Sequence, residues 1–336
     1  MQRLPTLGTF CAFLALAACS GNAPPKKPMG ALPSAVTLAE PEWLPKRVLA
    51  GRAVEDDARE PHLYQTRRIS VGLVVREIAW APDGSFIAVL ASRAEDEKPR
   101  IFKLPLAGSF RSVEPEPIST EGEAVSGVAV AAAPNGNARI LYSVGQKLVE
   151  VGPAGRKTID TAPYVALNVA VQPGTPDLFM VAKHPGGVGL VRTMSDGSKP
   201  RLLVSDHVEP GSLSLSTDAS YVAVAGASDK GNDAALLLTS TEGGQIRRLA
   251  PAGAFAPRMA SFHPGGRVLA FASARDRKDG ELYLVQVADG SRVLRMTFKQ
   301  GDAPAFSPDG RSLAFSSSRG DEKLADLYVA RFLEEP

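Results

Sequence analysis

Thiols are almost missing from this chain: its 336 residues include two cysteines, Cys11 and Cys19, both within the first twenty. Everything after Cys19 is thiol-free, which excludes a disulfide, a zinc–thiolate site and a cysteine nucleophile from the folded part. Aromatic residues are scarce, at 6%. Neither sign of charge dominates, with 38 Lys and Arg against 36 Asp and Glu. No broad basic field exists to attract nucleic acid, and none is expected as a partner. The short basic pair Arg67-Arg68 reads as a solvated strand face. Long apolar runs are also lacking: past the N-terminus nothing approaches the ~18 apolar residues that a transmembrane helix needs.

Catalytic signatures are equally sparse. The four histidines, His62, His184, His207 and His263, lie far apart, and the chain has no HExxH, no EF-hand loop and no Gly-x-Ser-x-Gly elbow. Gly152 to Thr158 lacks the glycine spacing of a phosphate loop and reads as a hairpin turn. His184, followed by Pro185-Gly186-Gly187, reads as a hairpin tip, and His263 as a turn residue. Neither a metal site nor a cofactor is expected.

What the chain does have begins with an address. Residues 1–18 carry one early positive charge, Arg3, then an uncharged, largely apolar stretch from Leu7 to Ala18. That length suits a signal peptide and is too short to span a bilayer. Leu16-Ala17-Ala18-Cys19 resembles a bacterial lipobox. The resemblance implies cleavage before Cys19 and acylation of its thiol, with more than one acyl chain for stable anchoring. An ordinary secretory peptide cleaved near Ala18, or a buried N-terminal helix, are the weaker alternatives. Ser20, where an Asp would resemble an inner-membrane retention signal, favours the outer membrane. Residues 19–45 are rich in Pro, Ala, Gly and Ser and have no strand or helix period, so they read as a flexible, part polyproline-like tether. Residues 46–336 remain for the folded body.

That body is repetitive. Apolar residues, a Pro or Thr, a turn pair and a second apolar strand recur six times, anchored on Pro82, Pro134, Pro173, Thr217, Pro264 and Pro308. The anchors fall about 40 to 50 residues apart, the spacing of propeller blades. Pro presets φ for the first central turn position, and Asp-Gly or Gly-Gly supplies a residue tolerant of positive φ. The flanks alternate with period two: Leu313, Phe315 and Ser317 against Ala314, Ser316 and Ser318. Third strands are expected at 101–104, 282–285 and 326–329, and fourth strands at 201–203 and 247–249. Three residues before the anchors stand Ala79, Ala131, Ala170, Ser214, Ser261 and Ala305, small as crowding around a central axis requires.

The chain is therefore expected to be all-β: a six-bladed propeller of four-stranded blades. The last copy supplies only three strands. Residues 62–71 have strand character, and Arg67-Arg68-Ile69 matches Arg247-Arg248-Leu249, so this N-terminal segment is expected to complete the last blade and close the ring.

Phe306-Ser307-Pro308-Asp309-Gly310-Arg311, Leu313-Ala314-Phe315 and Asp326-Leu327-Tyr328-Val329 resemble the TolB-type propeller repeat, and 79–93 and 261–285 follow the same pattern. The second to fourth copies are degenerate, with Asn135 for Asp, Gly174-Thr175 for Asp-Gly and Thr217 for Pro. The resemblance covers about residues 62–333 and implies the fold. TolB carries an additional N-terminal α/β domain for which this chain has no room, so a TolB role in binding envelope partners does not transfer directly. Prolyl-oligopeptidase-type peptidases share such blades but need a fused hydrolase domain.

Two functional readings follow. The first is a non-enzymatic cell-envelope lipoprotein, anchored to a membrane through Cys19 and facing the periplasm. Its propeller would dock an envelope protein or peptide segment. The second is a propeller enzyme, or a small-molecule or carbohydrate binder, using the axial channel. In either case residues five and six before the anchors, at one channel mouth, are the candidates. They are Arg76, Glu77, Asn168, Ser212, Arg258 and Asp302, a mixed-charge set suited to a peptide.

Overall fold

The computed structural model describes Glu60 and residues 62–94, 97–106, 114–133, 136–172, 174–205, 208–226, 235–249, 256–290, 292–320 and 324–333. The signal peptide, Cys19, the tether, residues 46–59, His207 and the anchors Pro134 and Pro173 lie outside the described residues.

The described residues form six four-stranded antiparallel sheets and no helix. β1 (Leu63–Arg68) comes first in the chain. Blade 1 follows, from its inner to its outer edge, as β2 (Val74–Trp80), β3 (Phe86–Ser92), β4 (Arg100–Pro105) and β5 (Glu116–Pro117). Blade 2 is β6 (Val125–Ala132), β7 (Ala138–Val144), β8 (Lys147–Gly152) and β9 (Gly155–Asp160). Blade 3 is β10 (Val165–Val171), β11 (Asp177–His184), β12 (Gly187–Met194) and β13 (Arg201–Val204). Blade 4 is β14 (Val208–Leu215), β15 (Tyr221–Gly226), β16 (Ala235–Ser240) and β17 (Arg247–Arg248). Blade 5 is β18 (Pro257–Phe262), β19 (Val268–Ser273), β20 (Glu281–Gln286) and β21 (Val293–Arg295). Blade 6 is β22 (Asp302–Phe306), β23 (Ser312–Ser317) and β24 (Asp326–Phe332), with β1 as its outer strand.

The innermost strands β2, β6, β10, β14, β18 and β22 each meet the next, and β22 meets β2, so the ring is closed. Closure is made as the sequence predicts. β1 pairs antiparallel with β24, Leu63 opposite Phe332 and Arg68 opposite Tyr328. Arg68 forms an ion pair with Asp326. The other carboxylate oxygen of Asp326 accepts from the Leu73 amide at 2.9 Å and the Ser70 hydroxyl at 3.2 Å. Leu63 and Phe332 sit in one apolar cluster with residues of blade 5.

Apolar side chains pack between neighbouring blades, which explains why the second strands β3, β19 and β23 are buried on both faces. In β23, Leu313 and Phe315 pack toward blade 5, while Ala314 packs toward blade 1. Each such buried Leu or Phe contributes roughly 1.5–3 kcal/mol relative to exposure. The small residues three before the anchors do more than relieve crowding. The hydroxyls of Ser214 and Ser261 accept the amides of Phe262 and Phe306, at 2.9 and 3.0 Å, tying each inner strand to the next. Trp80 adds a similar tie, donating Nε1–H to the Ala305 carbonyl at 2.9 Å.

The anchor turns are built alike. Asp83 and Asp309 each accept the amide two residues on, from Ser85 and Arg311. The next residue is left-handed: Gly84 at φ 69°, Gly266 at 71° and Gly310 at 73°. In the degenerate fourth copy Ala219 holds that conformation at φ 57° without being glycine. His263 takes the position of Ser307: its Nδ1 accepts the Gly265 amide at 3.1 Å, and its Nε2 lies 3.1 Å from the Gly310 carbonyl in the next blade. His184 and Gly152–Gly155 form the expected hairpin tips.

Candidate functional site

Every innermost strand breaks register with its neighbour near its start. The breaks fall between Val75 and Glu77, Ser126 and Val128, Ala166 and Asn168, Val208 and Leu213, Arg258 and Ala260, and Asp302 and Ala305. A β-bulge bends its strand and re-aims the side chains beside it. Six bulges at one level of the ring therefore set the geometry of one channel mouth. All six residues chosen from the sequence lie at these breaks: Arg76, Glu77, Asn168, Ser212, Arg258 and Asp302 flank or occupy them.

The structure gathers four of the six into two pairs. Asn168 of blade 3 donates its Nδ2–H to Glu77 Oε1 of blade 1, at 2.7 Å. This bond reaches past the whole of blade 2, and blade 2 makes it feasible. Its bulge residue is Gly127, at φ 62°, where a Cβ would stand 2.6 Å from the Asn168 Cα and 2.9 Å from the Leu167 carbonyl oxygen. Only glycine lets strand β10 lie this close to β6. The Val128 amide also donates to Glu77, so one carboxyl links three blades. Glu77 keeps part of its surface accessible, whereas Asn168 is 1% exposed beneath it. Burial pushes the Glu77 carboxyl up to about 8, against the lowering effect of the two hydrogen bonds. Asn168 Oδ1 is buried with no hydrogen-bond partner.

The second pair joins blades 5 and 6. Arg258 Nη2 lies 3.1 Å from Asp302 Oδ2 and also donates to the Asp279 carbonyl at 3.2 Å. Burial raises the Asp302 carboxyl above its usual range, and the neighbouring Arg258 only partly offsets this. Asp302 also accepts the Ala303 amide at 2.9 Å. Arg76 lies exposed on its bulge. Ser212 falls within the irregular part of β14. The two pairs can offer a ligand acceptor oxygens on one side and a guanidinium–carboxylate couple on the other.

Sequence reasoning missed Gly127 and Val128: counting six back from the second anchor lands on Val128, an apolar residue that offers a ligand no polar side chain, and Gly127 stands one residue further back. A glycine inside an otherwise apolar inner strand was the available signal. Among the described residues no group of three or more His, Cys, Asp or Glu side chains is placed to hold a metal ion.

No protein-family model matches the chain, and no curated protein matches it in sequence. Solved structures do match its fold. TolB from Acinetobacter baumannii aligns over 78% of this chain at 13% identity and a TM-score of 0.53, and the match spans 63% of that TolB. A gluconolactonase from Xanthomonas campestris aligns over 84% of this chain and 94% of its own, at 13% identity and a TM-score of 0.58. A chain of a nidogen/laminin complex aligns over 69% of this chain and 95% of its own, at 13% identity and a TM-score of 0.55. The architecture of this chain is thus a six-bladed β-propeller of the kind TolB also has.

Proposed function

We propose that this protein is a non-enzymatic docking protein of the cell envelope, moored to a membrane through acylated Cys19 and facing the periplasm. Its channel mouth would receive a peptide or protein segment. The observation that carries this reading is the build of the mouth. Its carboxylates, Glu77 and Asp302, are tied to side chains of other blades and stand in separate pairs rather than converging on one reacting centre. Such a rim offers spaced donors and acceptors along a path, which suits an extended segment. The lipobox-like Leu16-Ala17-Ala18-Cys19 and the Pro-rich tether supply the address. Fold alone does not decide the matter, since the similar structures include both an enzyme and a member of a protein complex.

The test has two arms. Mass measurement of the mature N-terminus should show a diacylglycerol-modified Cys19; an unmodified N-terminus would remove the anchor. Crosslinking in intact membranes should then yield one stoichiometric partner whose recovery falls when Arg258 or Asp302 is replaced by Ala. Recovery that ignores both substitutions would move the docking surface elsewhere. Turnover of a sugar lactone by the purified protein would instead establish the enzymatic alternative.

A further inference from the structure

The setting of Glu77 is rich in acceptors and poor in donors. Its carboxyl accepts from Asn168 Nδ2 and the Val128 amide, and among the described residues no Lys or Arg bears on it. The amide that reaches it leaves its own oxygen, Asn168 Oδ1, buried and without a partner. A buried acceptor left unmade costs about 1–3 kcal/mol, and a carboxylate held out of water without a counter-charge costs more. Yet the arrangement is built rather than accidental. Gly127 allows a backbone approach that no side chain would permit, and across it Asn168 reaches Glu77. Glu77 is the more accessible member, at the mouth, and Asn168 is the buried floor beneath it.

We propose that the channel mouth beside Glu77 and Asn168 binds a primary ammonium group. An ammonium offers three N–H donors, no acceptor and a compact positive charge. It answers both deficits at once: a counter-charge that lets the buried Glu77 carboxyl ionise, and a donor beside the unpartnered Asn168 Oδ1. A guanidinium is planar and wider, and a hydroxyl brings no charge, so neither answers both as well. The site stands on these residues alone; that the amine belongs to a partner polypeptide, as a lysine side chain or an amino terminus, rests on the docking reading above.

Titration calorimetry on the full-length protein tests this with three probes. They are Nα-acetyl-lysine methylamide, whose side-chain amine is free; glycylglycinamide, whose α-amine is free; and the doubly acetylated lysine methylamide, which has no amine. Either free amine should bind saturably in the millimolar range, and the doubly acetylated probe should not. Whichever amine binds better identifies the source. Glu77→Gln removes the carboxyl that ionises against the bound ammonium and should weaken binding about tenfold or more, as loss of a charge-assisted hydrogen bond does. Asn168→Leu should weaken it as well, with a thermal melt confirming that each variant is folded. Equal binding of the doubly acetylated probe, indifference to Glu77→Gln, or saturable binding of calcium chloride with none of either amine would overturn the proposal. Amine binding without any membrane partner would leave this site standing and sink the docking reading instead.

Discussion

Arg319 holds Glu60 in a two-pronged ion pair: Nη1 and Nη2 lie 3.0 and 3.1 Å from the two carboxylate oxygens, and the side chains are 2% and 3% exposed. Arg319 is further fixed by stacking over the rings of Phe315 and Tyr328, at 4.8 and 5.6 Å, and Glu60 also accepts the Phe298 amide at 3.2 Å. The pair thus fastens the segment leading into β1 against blade 6 and the loop that connects it to blade 5. Breaking one side of a buried pair strands the other charge, which costs about 3–5 kcal/mol. Glu60→Ala is expected to lower stability by that order in urea unfolding. The double variant Glu60→Gln with Arg319→Met should lose less than either single variant, because no lone charge remains buried. A loss in Glu60→Ala within experimental error would show that the pair is not a fastening.

The outer strand of blade 6 predicts something larger. Residues 62–71 contribute the β1–β24 ladder, the Arg68–Asp326 pair and the packing of Leu63 against blade 5. Deleting them opens the ring at one blade and exposes the edge of β24. The expected result is loss of a single cooperative melt, or a melting temperature lowered by ten degrees or more, on the order of the shift that several kcal/mol produces in a domain this size. An unchanged calorimetric transition would mean that the ring does not depend on its N-terminal strand.

Two anchor turns make opposite predictions for one position. Ala219 holds a left-handed conformation, φ 57°, that costs an L-residue roughly 1–2 kcal/mol. Ala219→Gly should therefore stabilise the protein by about 0.5–1 kcal/mol, the strain relieved less the added freedom of the unfolded chain. In blade 6 the same position is Gly310, where a Cβ would meet His263 Nε2 at 2.4 Å. Gly310→Ala adds a clash to the strain and should destabilise by more than the first change stabilises. Denaturant midpoints of the two variants, measured side by side, check both signs.

The fold was legible because blades repeat. Each copy carries a turn whose chemistry is local, Pro82-Asp83-Gly84 or Pro308-Asp309-Gly310, and local signals survive degeneration of their neighbours. Even Thr217, in place of proline, did not hide the fourth copy. The closing strand was legible for a similar reason, since Arg67-Arg68-Ile69 repeats Arg247-Arg248-Leu249. The mouth was legible only as a level of the ring. Counting back from the anchors reaches the bulges, but which side chains meet depends on what the intervening blade leaves out. Asn168 reaches Glu77 because Gly127 has no side chain, and that is a relation among three blades far apart in sequence. Arg319 and Glu60 are a similar case: Arg319 stands where Arg93 and Arg275 stand in their copies, but its partner Glu60 lies outside the repeat, so the pairing depends on where the N-terminal segment docks.

The Glu77 carboxyl gives the protein a pH signature of known sign. In the folded state burial raises it to about 8, whereas the unfolded chain ionises it near its ordinary value of 4.5. Between these values the unfolded state releases a proton that the folded state keeps. Stability from this group is therefore complete below pH ~4.5, falls as pH rises toward 8, and levels off above it. Asp302, raised in the same direction by burial, adds a fall of the same sign. Glu77→Gln cannot titrate, so its advantage over the native protein should grow with pH, by roughly 2–4 kcal/mol between about pH 5 and pH 9. Urea unfolding of the two proteins across that range reads the difference directly, with the contributions of all other groups cancelling. A constant difference at every pH would mean that Glu77 ionises in the folded mouth as it does in water. The acceptor-rich setting described for it would then be wrong.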